Sequence, residues 1–364
     1  MFGISRAFST PRAAAEALEF SGAFARVRKS VTWHNERMER AALAFALVAC
    51  GARTDLGGAR SEAGAGGDAS SDVHFVDVAL DAPQSKCPPI DYVNDTQTST
   101  ELVLDDAAMY FVRDSCVLAR TTKDGATSSS WAMIDCAGEI VVDELYVYWT
   151  SAAGQLMRHP KGSGTIEDRG CASLGGCPGN VHVRAVAKDV VVLVDGFRPV
   201  AMPKTGGFPY PLMPSGFAPP APVHYVFVDD TRAYWNTDIR VFSAALDGSD
   251  LPLQYATAST GLAINATHLF WTTSTNGTFV LDASSKDGNN DALLATSDTS
   301  TPLVANDSFV YGVSPSGITR QPTSGGAPTL IVPNVHPLTL ALDQDCIYFA
   351  EKTANGRRIA RAEN

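Results

Sequence analysis

The chain has 364 residues, 45% of them hydrophobic and 18% charged, with 39 Asp and Glu against 28 Lys and Arg. That hydrophobic content supports a packed core and excludes a wholly disordered chain. A net charge of −11 disfavours nucleic acid and anionic surfaces as partners.

The N-terminal region speaks to the compartment. Residues 1–37 contain scattered Arg and Ser, so an organellar transit peptide is one alternative for this stretch. Met38-Glu39-Arg40 then precedes nine apolar residues, Ala41 to Ala49, and Cys50 follows Leu47-Val48-Ala49. A basic flank, a short apolar run and small residues before a break read as a secretory signal, and nine residues are too few to span a bilayer. A Cys directly after Leu-Val-Ala resembles a bacterial lipobox, which would carry a lipid on Cys50. Met38 is an alternative start, and a short core helix is the structural alternative for the apolar run. Residues 50–72 are rich in Gly, Ala and Ser and read as a flexible tether. The expected organisation is therefore a leader over 1–49, a lipidated Cys and linker over 50–72, and one domain over 73–364. Starting at Cys50, the chain would hold 21 Lys and Arg against 35 Asp and Glu.

From Leu102 onward one pattern recurs seven times: a hydrophobic stretch, an Asp or Asn, a few variable residues, an aromatic pair, a turn and a second short strand. Good copies are VVDELYVYWT (141–150), VDDTRAYWN (228–236), INATHLFWT (264–272) and LDQDCIYFA (342–350). Taking the second residue of each pair gives Phe111, Trp149, Leu193, Trp235, Trp271, Tyr311 and Phe349, at gaps of 38, 44, 42, 36, 40 and 38 residues. Five residues before the first member of each pair stand Asp105, Asp143, Ala187, Asp229, Asn265, Ala305 and Asp343. A period near 40 fits four-stranded propeller blades or paired-helix solenoids. Alternating Val, Ile, Tyr, Phe and Trp, punctuated by Gly, Asp and Asn, excludes the helical option. Lys123-Asp124-Gly125, Asp247-Gly248 and Lys286-Asp287-Gly288 mark tight turns. The fold expected is an all-β, seven-bladed β-propeller. Six blades plus an irregular third unit is the alternative, because Ala187 to Gly207 lacks an aromatic pair. The last unit stops early, so an N-terminal strand should complete it; Val73 to Leu80 and part of Ile90 to Val93 alternate suitably.

Tyr148-Trp149-Thr150, Tyr234-Trp235-Asn236 and Phe270-Trp271-Thr272 resemble degenerate YWTD repeats of lipoprotein-receptor propellers. The wider resemblance, over roughly 101–364, is to the DUF5050 group of bacterial surface propellers. It implies a propeller on the cell surface and names no activity, since this fold hosts unrelated functions. Two departures stand out: the Asp of YWTD is missing after Trp149-Thr150 and Trp271-Thr272, and seven units are counted where the receptors have six.

Of seven cysteines, a lipidated Cys50 would account for the odd one. Six cysteines allow 15 pairings, and sequence alone does not choose among them. A ring of blades favours Cys87–Cys346 across the closure, Cys116–Cys136 within the first blade and Cys171–Cys177 within one loop. Zinc is the competing use, without CxxC or HxxxH spacing to support it.

Three features are candidates for function. The recurrent Asp and Asn positions could ring the channel and hold a cation, but Asx side chains at strand ends more often cap turns. The Asp287-Gly288-Asn289-Asn290-Asp291 run lacks EF-hand spacing and reads as a polar turn. His182 and His224 stand five residues before Ala187 and Asp229, which predicts equivalent mouth-side loop positions in neighbouring blades, with His336 near the same rim. Imidazoles converging there could ligate a divalent metal or move protons; isolated loop histidines are the structural alternative. Arg198 to Val223 carries eight prolines among Phe208, Tyr210, Met213 and Phe217, and is expected to be an excursion rather than a blade strand. Its aromatics could grip a protein or glycan, or pack down over the third blade.

No nucleophile elbow, phosphate loop, HExxH or dinucleotide fingerprint is present. The expected function is a non-catalytic, monomeric binding protein of the bacterial envelope, lipid-anchored at the outer membrane, with a protein or glycan partner and no cofactor. One alternative is a propeller lyase or lactonase with a metal over the channel. Streptogramin-lyase propellers resemble that picture by fold alone. A purely structural envelope component is the third reading.

Overall fold

The computed structural model describes residues 87, 90–95, 101–113, 116–134, 139–214, 221–257, 259–275, 278–289, 292–297, 300–354 and 356–364. They belong to one compact unit, Val78–Asn364. The leader, Cys50, the linker and Val73 to Leu80 lie outside the described residues, as do Cys136 and Phe217.

Among the described residues, short β-rich runs separated by turns give 28 strands in seven four-stranded antiparallel sheets. After β1 (Ile90–Asp95), the first blade is β2 (Leu102–Leu104), β3 (Ala108–Arg113), β4 (Val117–Thr122) and β5 (Ser128–Met133). The second is β6 (Ile140–Val142), β7 (Tyr146–Thr150), β8 (Gln155–Pro160) and β9 (Glu167–Cys171). The third holds β10 (Val181–Val186), β11 (Val190–Asp195), β12 (Arg198–Pro203) and β13 (Tyr210–Pro211). The fourth holds β14 (Val223–Val228), β15 (Arg232–Thr237), β16 (Arg240–Ala245) and β17 (Leu253–Thr257). The fifth is β18 (Gly261–Ile264), β19 (His268–Thr275), β20 (Thr278–Ser285) and β21 (Ala292–Ser297). The sixth is β22 (Ser300–Ala305), β23 (Phe309–Ser314), β24 (Gly317–Pro322) and β25 (Thr329–Pro333). The seventh has β26 (Pro337–Leu342), β27 (Cys346–Thr353) and β28 (Gly356–Glu363), with β1 on its outer edge. The fold is a seven-bladed β-propeller.

The ring closes through β1, which pairs antiparallel with β28 from Ile90↔Arg361 to Asp95↔Arg357. One strand from the start of the domain thus completes the last blade. Beside it, a disulfide joins Cys87 to Cys346, 259 residues apart in sequence. A second joins Cys171 to Cys177, and Cys116 is disulfide-bonded as well.

The aromatic pair has a geometric reason. Successive residues of a strand face opposite sides of the sheet, so one member packs forward onto the next blade and the other packs back. Tyr148 lies in the core between the second and third blades, and Trp149 in that between the first and second. Tyr234 and Trp235, Phe270 and Trp271, and Tyr348 and Phe349 divide in the same way. Among the described residues the core is accordingly seven apolar clusters, one per blade junction.

The six-blade alternative is excluded, and two expectations are corrected. The third unit is a full blade: Val192 and Leu193 take the places of the aromatic pair and are wholly buried. The proline-rich stretch is not a single excursion, because Arg198–Pro203 is β12 and Tyr210–Pro211 is β13, pairing through Val200↔Pro211 and Ala201↔Tyr210. Short outer strands tolerate proline since they need few ladder N–H groups. In the sixth unit, counting by apolar pairs sets the frame one residue early. Tyr311 is the forward-facing aromatic, and Asn306 rather than Ala305 holds the turn, accepting from Ser308 N at 3.0 Å and Phe309 N at 2.8 Å.

Candidate functional site at the channel mouth

Inner strands of six blades, β2, β6, β10, β14, β22 and β26, line a central channel of about 750 Å³. All inner strands run the same way, so the disc has one rim at their first residues and another at their last.

At the last-residue rim the recurrent aspartates are structural. Asp105 Oδ1 accepts from Ala107 N and Ala108 N, both at 2.8 Å, while Oδ2 accepts from the Tyr110 hydroxyl at 2.7 Å and from Lys161 of the next blade. The unit recurs as Asp143–Tyr148–Lys204, Asp229–Tyr234–Lys286 and Asp343–Tyr348–Lys123, with Lys–Asp distances of 2.6, 2.9 and 2.9 Å. Each lysine follows the third strand of the neighbouring blade. Burial alone would raise these carboxyls, but the lysine, tyrosine and backbone donors outweigh it and hold all four below the usual range. Burial and the aspartate partner push the four tyrosines up. These aspartates therefore cap turns and clasp blades; their oxygens are already engaged. Asp287 Oδ1 likewise accepts from Asn289 N at 3.1 Å, as a polar turn does.

The first-residue rim carries the charged groups that face the channel. Glu101 and Glu139 immediately precede β2 and β6, and Arg184 lies within β10; all three line the channel. Arg184 Nη1 is 2.6 Å from Glu139 Oε1, and His182 Nδ1 is 3.3 Å from Glu139 Oε2. Burial, then the charge of Glu139, pushes the Glu101 carboxyl up to about 8 against the opposing pull of Arg184 and the Ile140 N–H. Burial also raises Glu139, countered by Arg184 and His182. Counting in register would have found this pair, since Glu101 and Glu139 each stand four residues before Asp105 and Asp143.

The histidines sit differently from the expectation. His182 and His224 are both second residues of inner strands, not loop residues, because β10 and β14 begin one residue earlier. Each has its own partners: His182 faces Glu139 and Asn180, and His224 Nε2 is 2.5 Å from Asp238 Oδ1. His336 is exposed and donates its backbone N–H to Glu351 Oε2 at 3.1 Å. Among the described residues, no group of three or more His, Cys, Asp or Glu side chains is placed to hold a metal ion.

The aromatic loop divides. Tyr210 packs down, donating its hydroxyl to Leu246 O at 2.8 Å, and Leu212 and Met213 are buried. Phe208, on the turn from β12 to β13, is 92% exposed. That turn is pinned to the second blade, with Arg158 Nη1 donating to Lys204 O at 3.2 Å and Arg169 donating to Thr205 O. Leu145 and Leu251, on other turns of the same rim, are also exposed.

No protein-family model matches the chain, and no curated protein matches it. Among solved structures, "YCF48 bound to D1 peptide" superposes with a TM-score of 0.58 at 9% identity, covering 76% of this chain and 96% of that one. YCF48 from Cyanidioschyzon merolae gives 0.56 at 11% identity, covering 76% and 98%. BamB from Moraxella catarrhalis gives 0.49 at 13% identity, covering 76% and 92%. At such identities the likeness to the YCF48 structures is one of fold.

Proposed function

We propose that this chain is a non-catalytic interaction propeller of the bacterial envelope, held on a membrane by lipid at Cys50, that engages a protein partner on one rim. The observation that carries the reading is Phe208. A phenyl ring 92% exposed is costly to leave in water, yet its turn is tied down on both sides by β12, β13 and two arginines. An aromatic side chain carried on a turn whose backbone is held before binding loses less entropy on contact than one on a free loop, which suits a binding hot spot. Leu145 and Leu251 add apolar surface to the same rim. A structure of similar fold has been solved with a peptide bound, which supports peptide engagement by such a disc. The envelope address is supported by the apolar run ending at Cys50 and by disulfides, which persist in oxidising compartments. The YWTD-like and DUF5050-like resemblance belongs to the same reading.

The experiment is photocrosslinking from position 145 or 251 in cells, comparing the native chain with Phe208→Ser. One protein cross-linked by the native chain and lost with Phe208→Ser supports the rim. An identical cross-linking pattern in both chains rejects it. Lipid labelling that survives Cys50→Ala would reject the anchor.

A further inference from the structure

The third blade interrupts the ring of clasps. Its inner turn, between first and second strands, carries Ala187 where the neighbouring blades carry Asp143 and Asp229. Val192 and Leu246 pack with that alanine where a tyrosine and a lysine stand elsewhere. At this turn lies a hollow of about 730 Å³, lined by residues of the second, third and fourth blades. Val142, Val186 and Val228, the last residues of β6, β10 and β14, line both the hollow and the channel, so the channel opens into it.

Leu145, 66% exposed, is one of the hollow's lining residues. Phe208 and Leu251 are exposed on outer turns of the third and fourth blades, on the same rim. Exposed apolar side chains thus gather on three adjacent blades beside a cavity, which is how an interface is built and not how single surface leucines scatter. The charge around them has one sign. On the inner turns, once the four clasp aspartates are matched with their lysines, Asp106, Glu144, Asp189, Asp230 and Asp307 stand exposed against Lys188. Glu144 and Asp230 line the hollow from the blades on either side.

We propose that this sector is a docking surface for a basic, apolar-tipped segment of the protein partner. A leucine-sized side chain seats against Val142, Val186 and Val228, and flanking Lys or Arg residues meet Glu144 and Asp230. The proposal rests on the partner-binding reading above and adds the chemistry that the partner presents. Charge alone would draw any cation to these turns, and the hollow alone any apolar group. Together they select against an acidic segment, which the carboxylates repel, and against a basic polar one, which leaves the hollow wet.

The test uses the purified full chain and three labelled hexapeptides. One has two leucines between lysine pairs, the second has glutamates for the lysines, and the third has serines for the leucines. Fluorescence anisotropy reads each affinity. The lysine–leucine peptide should bind tighter than either counterpart by about tenfold. Two charge reversals of equal size then locate the contact. Glu144→Lys, at the hollow, should weaken that peptide by about tenfold, whereas Asp307→Lys, on the sixth blade, should change it by less than about threefold. Equal losses would assign the binding to diffuse charge and overturn the proposal. On the native chain alone, whatever the variants' folding, a lysine–leucine peptide that binds no tighter than its counterparts also overturns it. If the peptide fails while the Phe208-dependent cross-link persists, the docking proposal falls and the rim reading stands. Peptide binding lost with Glu144→Lys, beside a cross-linking pattern indifferent to Phe208→Ser, gives the converse.

Discussion

Lys123 Nζ lies 2.9 Å from Asp343 Oδ2, joining the first blade to the last across the ring closure. The aspartate also accepts from Cys346 N at 2.8 Å and from the Tyr348 hydroxyl at 2.9 Å. Removing it leaves a turn, a phenol and an ammonium without their acceptor in a half-buried site. Asp343→Ala should therefore destabilise the domain by about 2–3 kcal/mol, and Asp343→Asn, which can still cap the turn, by about 1 kcal/mol. Urea unfolding of both variants checks the order; equal losses would mean that the turn cap contributes nothing.

Charge at this position is matched blade to blade. Where the next blade offers Lys161, Lys204, Lys286 or Lys123 the clasp residue is Asp; where it offers Thr323 or Asn364 the residue is Asn265 or Asn306; where it offers Leu246 it is Ala187. Ala187, Val192 and Leu246 share one buried cluster, an apolar version of the same junction. Removing the polar partners together, as Asp143→Ala with Tyr148→Phe and Lys204→Leu, should cost less stability than Asp143→Ala alone, because the triple variant leaves only the Leu145 and Tyr146 amides uncapped while the single one also strands the phenol and the ammonium. A triple variant less stable than the single one would contradict this account.

The four clasp aspartates also set an acid limit. Their folded carboxyls lie below the unfolded value, so their contribution is fully present above about pH 4 and is lost as pH falls through the folded values. The midpoint of thermal unfolding should fall progressively as pH drops below about 4. Neutralising Asp143 and Asp229 together as Asn should flatten that descent.

The period, the strands and the blade count were legible because an inter-blade core needs large apolar residues facing both ways, and Tyr-Trp pairs announce that need. Where the pair is Val192-Leu193 the volume is supplied by aliphatics, which mark no blade by themselves. Asn306 was misframed by one residue because Val310-Tyr311 reads as a pair while the true partner of Tyr311 is Gly312, a residue with no side chain to count. The site was far less legible. Glu101 and Glu139 are separated by 38 residues and become neighbours only when blades close into a ring, whereas histidines drew notice by residue type.

Glu101 responds to pH in the opposite sense to the clasps. Its folded carboxyl, near 8, lies above the unfolded value, so folding takes up a proton between about pH 4.5 and pH 8 and stability declines across that interval. Glu101→Gln removes the ionisation and should stabilise the domain by about 1–2 kcal/mol at pH 8, with little change at pH 5. Parallel stability profiles for the two proteins would show that Glu101 ionises normally.

Phe208 and Tyr210 stand two residues apart with opposite duties. Tyr210 donates to Leu246 O at 2.8 Å and pairs with Ala201, so Tyr210→Phe forfeits one half-buried hydrogen bond and should cost about 1 kcal/mol. Phe208, at 92% exposure, contributes almost no burial, and Phe208→Ser should change stability by less than about 0.5 kcal/mol. Its effect belongs to binding, where loss of an aromatic anchor weakens a complex by about 2 kcal/mol, some thirtyfold. Thermal unfolding of both variants separates the roles, and a Phe208→Ser chain that unfolds as readily as Tyr210→Phe would make Phe208 a packing residue instead.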